Sequence, residues 1–123
     1  MAQPIDMVNN AAVTATGAVA MKGEGSAVTK IPSRGHYHWA LTAKETGAGT
    51  ATVTLKGTNN PDPADTNGET LITLSNTGND QKDGSAASKG YKYVFVHVTA
   101  AAAPMFAAEG GIRLYGTGFS GHS

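Results

Sequence analysis

Apolar and polar residues alternate with a period of two along most of this chain, the spacing of strands with one buried face. The alternation is clearest over 50–56, where Ala51, Val53 and Leu55 fall on one face and Thr52, Thr54 and Lys56 on the other. Residues 36–43 repeat it, with Tyr37, Trp39, Leu41 and Ala43 opposed to His36, His38, Ala40 and Thr42. A short strand over 70–75 carries Ile72 and Leu74 inward. Residues 91–99 are apolar on both faces, Tyr93 and Phe95 against Val94, Val96 and Val98, which predicts a central strand covered on both sides. A last strand spans 112–119. Weaker signals suggest a first strand around Val13 to Met21, bent near Gly17, and a second over 26–31 that Pro32 ends.

Between these runs lie turn formers. Residues 59–68 hold two prolines and an Asn-Gly pair, and 76–90 are rich in Gly, Asn, Asp, Ser and Lys, which reads as a long loop. Pro104 limits any helical turn over 100–108, and no amphipathic helix is evident. About seven short strands predict an all-β fold: a single antiparallel β-sandwich or barrel over 11–123, preceded by an extended N-terminal arm over 1–10. The expected core is Trp39, Val53, Leu55, Ile72, Leu74, Val94, Val96 and Leu114.

Composition narrows the functions. With 123 residues the chain is the size of one domain. It has no cysteine, which excludes disulfides, thiolate nucleophiles and cysteine-ligated metals. Nine basic and nine acidic residues cancel, which argues against nucleic acid, whose phosphates call for an excess of Lys and Arg. No apolar run approaches the ~20 residues of a membrane helix. Ala18-Val19-Ala20 resembles a signal cleavage site, but Asp6 rather than a basic residue precedes it, so the expected product stays where it is made.

Several constellations invite chemistry, and each has a plainer reading. His36 and His38, two apart on a strand, leave the same face and could grip a metal; two solvent-facing imidazoles are the simpler account. Asp62, Asp65, Asn67 and Glu69 cluster oxygens as a calcium site would, yet the loop fails the EF-hand spacing and reads as a solvated, proline-stiffened turn. The three glycines Gly116, Gly118 and Gly121 match a dinucleotide spacing, with only two residues left for the helix that such a site needs. There is no Gly-x-Ser-x-Gly elbow and no carboxylate pair on an ordered element. The expectation is therefore no enzyme, no cofactor and no metal.

Four segments carry a resemblance: Trp39-Ala-Leu-Thr-Ala; Gly49-Thr-Ala-Thr-Val-Thr-Leu-Lys-Gly-Thr-Asn-Asn; Thr70-Leu-Ile-Thr-Leu; and Tyr91-Lys-Tyr-Val-Phe-Val-His-Val-Thr-Ala. Together, over about 36–119, they resemble small structural proteins of tailed bacteriophages. A single domain of this size looks most like a capsid decoration, or cement, protein. That resemblance implies a β-sandwich or barrel that clusters as dimers or trimers on the outer capsid surface, clamps the major capsid protein, and has no catalytic residues. It also implies synthesis in the host bacterial cytoplasm. A carbohydrate-binding or adhesion module of a tail fibre or baseplate is the competing class. The arm is the expected attachment element: Pro4 keeps it extended, and Ile5, Met7 and Val8 are the expected partner-binding residues, ordered only against a neighbouring chain.

Overall fold

The computed structural model describes residues 4–6, 17–18, 30–33, 36–44, 50–62, 65, 67–77, 80–100 and 111–118. Among them are nine strands and no helix. Three are only two or three residues long: β1 (Pro4–Asp6), β2 (Gly17–Ala18) and β3 (Ile31–Pro32). The six longer ones are β4 (His36–Lys44), β5 (Thr50–Thr58), β6 (Glu69–Thr77), β7 (Gln81–Ala87), β8 (Tyr93–Ala100) and β9 (Ile112–Gly118).

The strands form two antiparallel sheets. One has the order β1-β9-β4-β7; the other has β2-β8-β5-β6, with β3 also pairing with β8. No pairing joins the sheets among the described residues, so the architecture is a sandwich and not a closed barrel. Alternation decides the packing. Trp39, Leu41 and Ala43 of β4 and Ile112 and Leu114 of β9 meet Val53 and Leu55 of β5, Ile72 and Leu74 of β6, and Val94, Val96 and Val98 of β8. All eight residues expected in the core are buried. Each aliphatic side chain withdrawn from water contributes about 1.5–3 kcal/mol before chain entropy is counted.

Three expectations need correction. Residues 81–87 are not loop: they form β7, an edge strand paired along its length with β4. Tyr37 does not face inward. The β4–β9 register shifts between His36 and His38, and this bulge turns Tyr37 out to 48% exposure, the one exposed large hydrophobic side chain among the described residues. Finally, Pro4–Asp6 pairs with β9 of its own chain, Pro4 opposite Tyr115, whereas the arm was expected to order only against another chain. The edge of β9 offers unpaired main-chain groups, which any extended segment in reach can satisfy. Met7 and Val8 lie outside the described residues, as do 11–16, 19–29 and 101–110.

Candidate functional site

Several polar side chains meet at one end of the β8-β5-β6 sheet, where Lys30, Asn59, Asn60, Asp65, Asn67, Glu69, Lys89 and Tyr91 bond to one another or to nearby main chain. Lys30 Nζ donates to the carbonyls of Asn60 (3.1 Å) and Asp62 (2.7 Å), so one ammonium gathers the start of the loop after β5. The same ammonium lies 5.0 Å from the ring centre of Phe95, on the face of β8 turned away from the core. Phe95 is fully buried there. This explains why β8 is apolar on both faces: the core covers one, and Lys30 with its loop covers the other.

Asp65 links Asn60 to Asn67. Its Oδ1 accepts from the Asn67 main-chain N–H and side-chain amide, each at 3.0 Å, and its Oδ2 accepts from the Asn60 amide at 2.8 Å. The Asn67 N–H above all, then the Asn60 amide, keeps its carboxyl below the usual aspartate value. Both Asp65 carboxylate oxygens thus accept from amides of the same loop. Asn59 Oδ1 accepts from the Lys92 N–H (3.0 Å), which links this loop to the start of β8.

Glu69 belongs to a second cluster. Its Oε2 accepts from Lys89 Nζ at 2.7 Å, and its Oε1 accepts from the Tyr91 hydroxyl. Lys89 pulls the Glu69 carboxyl down and Tyr91 adds to it; Glu69 in turn raises both Lys89 and Tyr91. A tight turn aims Lys89: the Tyr91 N–H donates to the Ser88 carbonyl, and Lys89 and Gly90 both have positive φ, 55° and 76°. The proposed calcium set is thus divided. Asp65 and Glu69 serve different partners, and no group of three or more His, Asp or Glu among the described residues can hold a metal.

The histidine pair is divided too. The bulge leaves His38 with Ala40 and Thr42 on the outer face, while the His36 ring sits over Gly116, the residue opposite Trp39. A Cβ on Gly116 would stand 2.5 Å from His36 Nδ1, so only glycine admits the ring. The His36 and Trp39 ring centres are 4.9 Å apart, and Trp39 Nε1 donates to Ser33 Oγ at 2.9 Å. His36 is an end plug of the core.

The chain alone hid these arrangements for a simple reason. Lys30 meets Asp62 across 32 positions and Tyr91 meets Glu69 across 22, with no local spacing to announce either. What these contacts do is hold loops: Asp65 ties Asn60 to Asn67, and Glu69 ties the start of β6 to Lys89 and Tyr91. No protein-family model, curated protein or solved structure matches this chain. No helix among the described residues is long and apolar enough to cross a membrane.

Proposed function

We propose that this chain is a structural virion protein that binds the outer surface of a bacteriophage capsid and stabilises the shell of major capsid protein. It acts as a homo-oligomer, without enzymatic activity, cofactor or nucleic acid. The observation that carries the reading is where the phage-like segments fall. Trp39-Ala-Leu-Thr-Ala lies in β4, Thr50–Thr58 of the Gly/Thr-rich run forms β5, Thr70-Leu-Ile-Thr-Leu lies in β6, and Tyr93–Ala100 of the Tyr-x-Tyr-Val run forms β8. The likeness therefore runs largely through the strands that build the sandwich and continues into the start of the loop after β5 and the turn before β8. The loop carboxylates are compatible with it, since Asp65 and Glu69 both bond to neighbouring side chains of the chain itself.

Quantitative mass spectrometry of intact particles, with a cryo-EM map, tests it. A copy number that tracks the capsid subunits, with density on the outer shell, is the expected result. A copy number that tracks the tail, with density on a fibre or baseplate, overturns the capsid assignment in favour of an adhesion module.

A further inference from the structure

We propose that Asn67 is a site of spontaneous modification, where this chain cyclises onto the Gly68 nitrogen and opens to an isoaspartyl form that breaks the link between Asp65 and Asn67. This goes beyond the capsid reading and does not rest on it. Asn67 and Gly68 are both exposed, at the end of the loop that leads into β6. The Gly68 main-chain nitrogen, its proton lost to hydroxide, bonds to Asn67 Cγ. The Cγ–Nδ2 bond breaks, and that nitrogen takes up a proton and leaves as ammonia. Water then opens the five-membered imide. Opening at the main-chain carbonyl carries the chain through Cγ as isoaspartate, and opening at Cγ gives aspartate. One water is consumed and one ammonia released, and a carboxylate stands where an amide stood.

The structure separates Asn67 from the other described asparagines. Asn60 is followed by Pro61, which has no N–H to lose. After Asn59, the Asn60 N–H donates to Thr58 Oγ1 at 3.1 Å, and Asn59 Oδ1 is itself held by the Lys92 N–H. Asn76 is buried, with Thr77 beyond it in the β6 ladder opposite Thr50. The Gly68 N–H, by contrast, finds no main-chain acceptor among the described residues. Nor can the fold exchange Gly68 for a bulkier, slower neighbour. A Cβ there would stand 2.8 Å from the Gly57 carbonyl oxygen and 3.3 Å from Phe95 Cε1. The reactive pair is built into the approach to β6, and its product undoes a contact. The Asn67 amide that donates to Asp65 Oδ1 at 3.0 Å becomes a carboxylate, an acceptor facing an acceptor of like charge. Isoaspartate also adds a methylene to the main chain, directly before a residue with no room beside it.

The test uses the purified full chain, so its outcome is independent of the capsid reading. The folded protein is aged at mildly alkaline pH in oxygen-labelled water, digested, and mapped by a fragmentation method that tells isoaspartate from aspartate. The expected result is labelled isoaspartate with a smaller share of aspartate at position 67, accumulating ahead of any conversion at Asn59, Asn60 or Asn76. Asn67→Gln, whose longer side chain would need a six-membered ring, should stay unconverted over the same period. Asp65→Ala frees the Asn67 amide and should convert several-fold faster. In the aged wild-type chain, amide exchange should rise across 59–68 and stay unchanged in β5 and β8. Conversion at Asn67 no faster than at Asn59 overturns the proposal. Aspartate without isoaspartate overturns it too, because direct hydrolysis needs no Gly68 nitrogen. An unchanged rate in Asp65→Ala, or unaltered exchange in the aged loop, overturns the connection between the modification and the Asp65–Asn67 link.

Discussion

Strands β7 and β8 follow one another in the chain, seven and eight residues long, joined by a single tight turn, yet they use their side chains in opposite ways. β8 lies inside its sheet, sends Val94, Val96 and Val98 into the core, and buries Phe95 on its other face. β7 is an edge strand whose inner positions, opposite Ala43, Leu41 and Trp39, are Lys82, Gly84 and Ala86. None of the three is large and apolar, because the space beneath β7 is already filled from β6. A Cβ on Gly84 would stand 2.9 Å from Ile72 Cγ2 and 3.1 Å from Leu74 Cδ2. A strand supplies core residues only where its neighbour has left room. Alternating hydrophobicity therefore reports which strand fills the core, and not every segment that is a strand.

The sharpest way to break this comparison is to place one carboxylate on each strand. Val96→Asp buries a charge with no partner and costs several kcal/mol, a large share of the ~5–15 kcal/mol that stabilises a domain. Ser85→Asp sits on the exposed face of β7 and should shift stability by less than about 0.5 kcal/mol. Far-UV circular dichroism with thermal melting should show no cooperative transition for the first and a near-native one for the second. Equal loss in both would mean that β7 is packed as β8 is.

Filling the space under β7 is the next test. Gly84→Val pushes two methyls into Ile72 and Leu74 and should cost about 1–3 kcal/mol through overpacking, lowering the melting temperature by several degrees. A neutral result would show that β7 can lift from β6 freely. Asn76→Ala probes how the chain is held as it passes between the sheets. The buried Asn76 amide donates to the carbonyls of Ala43 (3.1 Å) and Asp80 (3.4 Å), tying the end of β6 to β4 and to the approach of β7. Its loss leaves the Ala43 carbonyl short of a donor and should cost about 1–3 kcal/mol, with amide exchange rising first in β7.

The same logic explains what was legible in the sequence. Trp39, Val53, Leu55, Ile72, Leu74, Val94, Val96 and Leu114 declare themselves because each alternates with polar neighbours or sits in a run apolar throughout, and all are buried. β7 is silent because its inner face is Lys, Gly and Ala. β2 and β3 fall where the weaker strand signals around Gly17 and up to Pro32 lie, whereas β1 lies in the segment read as an arm and pairs with the edge of β9. His36 and His38 were read by strict alternation as facing one way. A single bulged residue, Tyr37, sends His36 to the core, and nothing in the local sequence marks the bulge. The loop-end clusters failed for a different reason: their members come from elements that only the sheet order brings together.

The smallest expected effect is a pH slope that belongs to β8 and has no counterpart on β7, which carries no histidine. His97 lies on the outer face of β8, across from Thr54 of β5 and Ala18 of β2. Burial first, and the Lys56 ammonium second, disfavour its imidazolium and lower its pKa from the ordinary 6.5. The unfolded chain therefore takes up this proton before the folded one does. Stability is unaffected by His97 above pH 6.5, falls as pH drops below 6.5, and levels once the lowered folded value is passed. Asp65 and Glu69 act in a separate window. Their carboxyls are lowered from 3.8 and 4.5, so the stability they add is present above those values and is lost only as pH falls through the lowered ones. Thermal melts between about pH 7.5 and pH 5 isolate the histidine from the carboxylates. His97→Gln should flatten the dependence over that range and leave the acid loss that belongs to the carboxylates in place. A slope that survives His97→Gln unchanged would assign it to another group, and the outer face of β8 would then be as indifferent to pH as β7.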